Sequence, residues 1–277
     1  KLANLYNEND GYEIKTRNIE QEIERIEKTK SNLIKEQDAL KSKLEQNNTE
    51  EPKKEKVMKE IIEFYNNYDE EGRLLKKNRL PEYITTMRYI EKYLTPNSKI
   101  IEIGAGTGRY SISLADMGYD VTAVELVEHN IEIMKKKVKP EHNIKIYQGN
   151  ACDLSFIDSD TYDIVLLLGP MYHLFNDEDK NRAISEAIRV SKKGGIIYSA
   201  YCNSDTCVYK MFYKKKILSY LDNRLIDENY HTVSTPDEIF ELYRKPDIDE
   251  LMKNYPVTRL HFVGVDMLSY LYSNKLN

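Results

Sequence analysis

Three glycines at alternate positions form the pattern in this sequence that points most clearly to chemistry. Gly104, Gly106 and Gly108 follow the apolar run Ile100–Ile103 and precede a segment with apolar residues at helical spacing. Glycine permits backbone angles that other residues avoid, and it lets a ligand approach the main chain closely. The N–H groups at the start of the next helix attract an anionic or strongly polar group. The stretch predicts a ligand-binding turn between a buried strand and a helix; the alternative is a turn that only packs the helix on a sheet.

An acidic residue ends the next predicted strand and restricts the class of ligand that the turn could bind. Val121–Val124 leads to Glu125, whose carboxylate could accept hydrogen bonds from both hydroxyls of a ribose. A dinucleotide site would read G-x-G-x-x-G, with its third glycine where Arg109 stands. Here the glycines are spaced G-x-G-x-G and preceded by Glu102. The pattern E-I-G-A-G-T-G resembles motif I of the class I S-adenosylmethionine-dependent methyltransferases, which favours S-adenosyl-L-methionine as cofactor over a dinucleotide.

The resemblance implies a role for each part of the site. Glu102 and the glycine turn would hold the methionine part of the cofactor, Glu125 the ribose, and Asn150–Cys152 the adenine. Relatives usually have Asp where Asn150 stands, and its amide oxygen could still accept from the adenine amino group. The implied cofactor contacts are Tyr68, Glu102, Gly104, Ala105, Gly106, Thr107, Gly108, Glu125, Leu126, Asn150, Ala151, Cys152 and Leu168. Of these, Tyr68 belongs to the segment FYNNYDEEGRL, which resembles a helical lid over the cofactor.

A second motif follows the apolar run Tyr162–Leu168, which predicts a strand buried on both faces. It reads G-P-M-Y-H, whereas enzymes that methylate nucleic-acid amines carry [DNS]-P-P-[YFW] here. The variant resembles that of small-molecule and uncharacterised bacterial methyltransferases. Tyr172 and His173 are the catalytic candidates, because imidazole titrates near neutral pH and could act as a base. Alternatively, His173 bonds to the backbone and shapes the pocket rim, since much methyl transfer needs no base.

Composition restricts partners and location. The 277 residues carry a net charge of −5, which argues against non-specific nucleic-acid binding. The three cysteines form no C-x-x-C pair, which favours reduced thiols in a cytoplasmic protein. The longest apolar run, Ile164–Leu168, is too short to span a membrane. No metal is expected, because no His, Asp and Glu residues cluster at ligand spacing.

Residues from Tyr12 to about Gln46 contain no glycine or proline and predict a long helix with one apolar seam. Six of the eight seam positions are aliphatic: Ile19, Ile23, Ile26, Lys30, Leu33, Gln37, Leu40 and Leu44. Such a seam needs a partner, so we expect a homodimer through residues 14–46, with folding back onto the catalytic domain as the alternative. The segment also resembles the dimerisation helix of MerR-type regulators. Nucleic acid would then be a partner only if a DNA-binding head lies upstream of Lys1.

The predicted fold is α/β, a doubly wound, mostly parallel Rossmann-like sheet. We divide the chain into a coiled-coil helix (1–50), a linker and helical lid (51–97) and a cofactor-binding domain (98–277). We expect the linker at Asn47–Lys56 and a helix break near Gly72. A sixth strand is expected at Val257–Val263. The family's sheet has seven strands, so the domain is expected to be truncated at its C-terminus. A short helix and a tail are expected over 264–277.

Together these features predict an S-adenosylmethionine-dependent methyltransferase with a small-molecule acceptor. A regulatory module is the alternative, in which the sheet senses S-adenosylmethionine and the coiled coil dimerises a DNA-binding head. Protein methylation is a third possibility, and it would require an open acidic or aromatic groove.

Overall fold

The central strands form because each is a short apolar run that can be buried on both faces. The computed structural model describes residues 2–234 and 239–265. Its main sheet consists of β1 (Lys99–Ile103), β2 (Asp120–Glu125), β3 (Ile144–Gln148), β4 (Tyr162–Leu167) and β5 (Ser191–Ser199). All neighbouring strands are parallel, in the order β3-β2-β1-β4-β5, and the strands predicted at Ile100–Ile103, Val121–Val124 and Tyr162–Leu168 are confirmed. The order reverses between β1 and β4, and open sheets bind ligands beyond the carboxyl ends of such strands.

Helices precede the sheet, connect its strands and follow it. The first three are α1 (Leu2–Asn67), α2 (Glu70–Leu75) and α3 (Leu80–Glu91), with a 3-10 turn at Lys77–Arg79. Three connect strands: α4 (Arg109–Asp116), α5 (Glu128–Lys137) and α6 (Asp177–Val190). After the sheet come α7 (Ser204–Tyr213), α8 (Ile217–Asp222) and α9 (Lys245–Met252), with a short strand pair, β6 (Cys202–Asn203) and β7 (Leu242–Tyr243). This is a Rossmann-like α/β fold with N-terminal helices.

The core lies on both faces of the sheet. On one face, Ile103 of β1 belongs to the same buried cluster as Ile184 of α6. On the other face, Ile164 of β4 clusters with Ile90 of α3 and Leu114 of α4. All five side chains are at most 3% exposed. Burial on both faces explains why these strands read as continuous apolar runs.

Before the first strand, the predicted linker is wrong, and the predicted helix break is found a few residues early. The segment expected to be a linker, 47–56, is helical, because α1 continues through it to Asn67. Its Glu and Lys residues are good helix formers and outweigh Pro52. The break expected near Gly72 lies at Tyr68–Asp69, where the Asp69 carboxylate caps α2 by accepting the N–H of Gly72 at 2.8 Å. A side chain at position 72 would collide with that carboxylate, so Gly72 permits the cap.

The chain divides into two compact units, Lys1–Lys56 and Val57–Asn277. The first unit is helical, and three of its predicted seam residues, Ile26, Leu33 and Leu40, are 60–61% exposed. The coiled-coil seam is thus solvent-accessible in a single copy, and dimerisation stays a prediction. None of the helices in the part of the chain that the structure describes could cross a membrane.

The sixth strand predicted at Val257–Val263 is absent, because these residues adopt no regular structure. In an extended strand, Arg259 and His261 would lie on the same side as Val257 and Val263, so that side would not be uniformly apolar. His261 Nε2 instead lies 2.7 Å from the Tyr93 hydroxyl, beyond the end of α3. The helix and tail expected over 264–277 fall almost entirely on 266–277, which lie outside the described residues.

Replacing Gly108 with Ala should destabilise the fold more than the same change at Gly118. Both glycines have left-handed backbones, with φ of 80° and 88°. A Cβ at Gly108 would lie 2.4 Å from Cγ of the fully buried Met134, whereas one at Gly118 would meet nothing within 4 Å. We expect Gly108→Ala to lower the free energy of unfolding by about 2–4 kcal/mol and Gly118→Ala by about 1–2 kcal/mol, measured by urea unfolding. Equal losses would contradict the packing role of Gly108.

Candidate functional site

The glycine turn joins β1 to α4 and is fastened to β2. Gly104, Gly106 and Gly108 have φ values of 76°, 55° and 80°, in the left-handed region that favours glycine. The N–H groups of Gly104 and Ala105 both donate to the carbonyl of Val124, at 2.8 and 3.1 Å. The position of the turn is therefore fixed by the last residues of the neighbouring strand.

The space over the turn differs from one glycine to the next. A Cβ at Gly104 would lie 2.7 Å from Cδ of Pro170, so the turn packs closely against the segment after β4. A Cβ at Gly106 would meet only Cγ of Glu70, at 3.9 Å. The open side of the turn is thus over Gly106, with room for a ligand that approaches the main chain. This cradle fits the cofactor group that the sequence predicts.

Glu125 lies beside this open side and is 5% exposed. One carboxylate oxygen accepts the N–H of Gly106 at 2.7 Å. The other accepts the N–H of Val127 at 3.0 Å and the side-chain amide of Asn130 at 3.2 Å. Burial raises the pKa of the Glu125 carboxyl, while the N–H groups of Val127 and Gly106 offset part of the rise. The predicted ribose acceptor and the glycine turn are therefore in direct contact.

Glu102 has a different environment from the one its predicted role suggests. Its side chain, only 2% exposed, accepts the backbone N–H of Ser111 at 2.9 Å and also the Ser111 hydroxyl. It thereby holds the first turn of α4, which carries the N–H groups that follow the glycine turn. Burial raises the pKa of the Glu102 carboxyl to about 8.

Buried Glu102 should make stability fall with rising pH, and Glu102→Gln should reduce this dependence. The pKa of Glu102 is about 8 in the folded chain against an ordinary 4.5, so its stabilising contribution is complete below pH 4.5 and is lost as the pH rises through 8. A difference of one in pKa between the folded and the unfolded chain changes the free energy of unfolding by about 1.4 kcal/mol. The loss of stability therefore amounts to a few kcal/mol. The glutamine keeps an acceptor oxygen for Ser111 but does not titrate.

Urea unfolding at several pH values between 5 and 8 measures the effect. The exposed Glu128 is the matched control, and Glu128→Gln should keep the wild-type slope. Identical slopes in wild type and Glu102→Gln would contradict the burial argument.

The predicted adenine contacts form a tight turn after β3. The side-chain oxygen of Asn150 accepts the N–H of Cys152 at 2.9 Å, and Ala151 and Cys152 are both 8% exposed. Cys152 Sγ donates to the carbonyl of Asp179 at 3.4 Å, in keeping with a packing role for the thiol. Directly after β2, the neighbouring strand, the carbonyl of Leu126 accepts a hydrogen bond from the side-chain amide of Gln148 at 3.2 Å. The side-chain oxygen of Asn150 thus already accepts a hydrogen bond within its own turn.

Beyond β4, Leu168 leads into a 3-10 turn, Pro170–His173, that presents both catalytic candidates. His173 is bound on both ring nitrogens: Nδ1 lies 2.9 Å from the carbonyl of Ile239, and Nε2 lies 3.0 Å from the Tyr65 hydroxyl. A carbonyl can only accept, so Nδ1 carries the proton and Nε2 accepts from Tyr65. Burial lowers the pKa of His173 to about 4, so the ring is neutral near pH 7.

Aromatic rings surround His173. The rings of Tyr172 and Phe240 lie 4.8 and 5.1 Å from its imidazole, and Tyr65 lies at 5.6 Å. Burial raises the pKa of the Tyr172 hydroxyl well above its usual value. Tyr68, the aromatic residue predicted to contact the cofactor, is instead stacked on Phe64 at 5.0 Å and is 37% exposed. Tyr65 is therefore the aromatic residue of the lid segment that contacts His173.

The short helix α2 lies directly over the glycine turn and falls mostly within the segment FYNNYDEEGRL that resembles a helical lid, but none of its charged residues was predicted to belong to the site. Glu71 accepts from the Thr107 hydroxyl at 2.7 Å and from Lys137 of α5 at 2.6 Å. Arg73 donates to the carboxylate of Glu70, whose Cγ faces Gly106. The spacing of Asp69 and Gly72 is a helix-capping signal, which could have located α2 but not its position over the turn.

Comparison with known proteins identifies the core of this arrangement. Residues 100–195, from β1 into β5, match the methyltransferase domain family. The matched stretch contains the glycine turn, Glu125 and the segment after β4. No part of 1–50 lies within this match, so the resemblance of that segment to a regulator's dimerisation helix stays a prediction.

Two relatives are enzymes with different acceptors. The chain is 32% identical to the demethylmenaquinone methyltransferase of Staphylococcus saprophyticus over 45% of this chain and 53% of that protein. It is 26% identical to the glycine/sarcosine N-methyltransferase of Aphanothece halophytica over 62% of this chain and 68% of that protein. The chain spans about half the length of the first curated relatives that it matches.

A solved structure supports the fold. The chain matches the complex of the Haloferax volcanii Trm112 methyltransferase activator with a candidate methyltransferase, at a TM-score of 0.50 and 12% identity over 70% of this chain and 75% of that chain. Among the described residues of the present chain, no group of His, Cys, Asp and Glu is placed to hold a metal ion.

Proposed function

We propose that this chain transfers a methyl group from S-adenosyl-L-methionine to a small-molecule acceptor. The contact between Gly106 and the Glu125 carboxylate, 2.7 Å long, carries the proposal, because it joins the ligand-binding turn and the acid at the end of β2 in one site. Glu125 would accept hydrogen bonds from the ribose hydroxyls, and a carboxylate here would repel a 2′-phosphate. Ala151 and Leu126 would line the adenine, and Leu168 the floor of the reaction site.

The bound cofactor would supply an activated methyl group on its sulfonium. The chain's own contribution would be to hold the acceptor in line with that group and to exclude water. The neutral His173, with its lone pair on Nε2, would accept a proton only after Tyr65 has moved away. Since its pKa is about 4, it is a weak base, suited to acceptors that are nucleophilic before they lose a proton.

A small acceptor fits the surroundings of the reaction site. The segment after β4 reads Gly169-Pro170-Met171 and lacks the polar residue that holds nucleic-acid amines. A shallow groove of about 470 Å³, open to solvent, includes Phe64 and Tyr68 of the aromatic residues. Its lining residues are Glu60, Glu63, Phe64, Asn67, Tyr68 and Ile239. The two relatives are named for demethylmenaquinone and for glycine and sarcosine as acceptors, which supports a small-molecule acceptor without giving its identity.

Titration calorimetry with S-adenosylmethionine and with NAD tests the cofactor assignment. We expect micromolar binding of S-adenosylmethionine, about −8 kcal/mol, and no binding of NAD. Gly106→Arg should abolish binding, because the side chain fills the open side of the turn, and Glu125→Ala should weaken it by at least about 30-fold, or 2 kcal/mol.

Gly118→Arg is the matched control, since Gly118 has the same left-handed backbone and lies outside the site. It should bind like wild type. Binding by Gly106→Arg, or a folded wild type that binds NAD instead, would contradict the assignment.

We also propose that the chain forms a homodimer through the seam of α1. The exposure of Ile26, Leu33 and Leu40 supports this, because a seam of this length is stable only when covered. The two polar seam members, Lys30 and Gln37, would set register at a cost in stability.

Leu33→Lys should weaken the dimer on the order of 100-fold, because it places two charges in the seam of each dimer. Sedimentation velocity across a concentration series measures the change. Asn32→Lys adds the same charge at the adjacent, off-seam position and should leave the dimer intact. A wild type that stays monomeric at high concentration would contradict the proposal.

A further inference from the structure

A stretch of eight residues at the end of α7 combines aromatic rings with a run of positive charge. Residues 209–216 read YKMFYKKK, with three aromatic residues, four lysines and no acidic residue. The chain as a whole carries a net charge of −5, so the stretch departs locally from the acidic balance of the protein. Neither the glycine turn nor the residues around His173 make use of it.

The three aromatic residues lie along one side of α7. Tyr209, Phe212 and Tyr213 follow the i, i+3, i+4 spacing that aligns side chains on a helix, and each is more than half exposed. Tyr209 and Phe212 also line, together with Tyr230, a shallow groove of about 290 Å³ that is open to solvent. An exposed apolar face of this kind marks an interaction site. We call it the aromatic–lysine surface, and it consists of Tyr209, Phe212, Tyr213 and Lys214–Lys216.

The rings are exposed although α7 itself is anchored to the domain. Val208 and Ser204, on another side of the helix, are buried, and the Ser204 hydroxyl lies 2.7 Å from the Thr232 hydroxyl. Asn203 caps the helix by accepting the N–H of Thr206 at 2.7 Å. Asn203 is also part of β6, which pairs with β7. The exposure of the rings is therefore a property of the folded chain.

The chemistry of the surface indicates its partner. Lys214, Lys215 and Lys216 are exposed and directly follow the rings, so the face attracts anionic groups. Rings beside lysines suit the boundary between lipid headgroups and acyl chains, where the rings enter the apolar layer and the ammonium groups stay at the level of the phosphates. Leu218, at the start of α8, is 72% exposed and adds an aliphatic side chain, on which nucleic-acid bases do not stack.

A second copy of this chain fits the surface less well. A twofold-symmetric contact brings the same surface of both copies together. The lysines of one copy would then lie close to those of the other, and like charges placed together disfavour association. An anionic lipid surface has the complementary charge.

We propose that the aromatic–lysine surface binds the headgroup layer of a membrane that contains anionic lipids. The rings of Phe212 and Tyr213 enter the boundary with the acyl chains, and the three lysines bind the lipid phosphates and carboxylates. This interaction goes beyond the proposed methyl transfer and does not depend on it. Because part of the attraction is electrostatic, binding should weaken as the salt concentration rises.

Co-sedimentation of the full chain with lipid vesicles tests the proposal. Vesicles of phosphatidylcholine and phosphatidylserine should bind about 10-fold or more tightly than vesicles of phosphatidylcholine alone. The double change Lys214→Gln and Lys216→Gln should weaken binding to the anionic vesicles about 30-fold, since each lysine contributes a factor of about five. Phe212→Ser should weaken it about 5-fold, and this loss should persist at high salt because it is apolar.

The double change Lys135→Gln and Lys136→Gln is the matched control. Both lysines are exposed at the end of α5, in another run of three lysines, but α5 contains no Phe, Tyr or Trp. This variant should bind vesicles like wild type, and all variants should bind S-adenosylhomocysteine like wild type, which keeps the proposed function as a separate question.

Four results would overturn the inference. They are equal binding of the wild type to both kinds of vesicle, no binding to either, an equal loss in the α5 control, and binding to single-stranded RNA without binding to vesicles. Sedimentation velocity adds a fifth, because a wild-type dimer that Phe212→Ser dissociates would assign the surface to a second copy of the chain.

Discussion

The conformation of the glycine turn and its attachment to β2 are the constraint on which the site depends. Two N–H groups of the turn share the carbonyl of Val124, and a third is held by the Glu125 carboxylate. These bonds require the left-handed backbone at Gly104 and Gly106, which glycine adopts without a steric penalty. Because β1 and β2 are adjacent and in register, the turn and the acid meet at the same edge of the sheet. The elements on either side then need only cover this edge.

Segments from both ends of the domain cover this edge of the sheet. From the N-terminal side, α2 reaches the turn through Glu71 and Thr107, and Tyr65 reaches His173. From the C-terminal side, the carbonyl of Ile239 holds the other nitrogen of the same imidazole. His173 is therefore bonded to segments on both sides of it in the sequence. These two bonds explain its position against the aromatic rings without assigning it a proton transfer, while burial lowers its pKa and keeps the ring neutral.

The sequence predicts the sheet well because its signals are local. The three central strands β1, β2 and β4 are recognisable as apolar runs, and the glycine spacing distinguishes the turn from a dinucleotide site. The predictions that failed depended on competition between elements. Residues 47–56 look like a linker until the helix propensity of their Glu and Lys residues is weighed against Pro52. The alternation of 257–263 resembles a strand, yet His261 bonds to Tyr93. Contacts such as that of Glu71 with Thr107 join segments that are distant in the sequence, so no local pattern predicts them.

A crystal structure of the chain with S-adenosylhomocysteine is the sharpest single experiment. It should place the ribose hydroxyls within hydrogen-bonding distance of the Glu125 carboxylate, with the nucleoside over Gly106 at the carboxyl ends of β1 and β2. A nucleoside bound elsewhere, with the Gly106–Glu125 contact and the space over the turn unchanged, would contradict the assignment of this turn as the cofactor site.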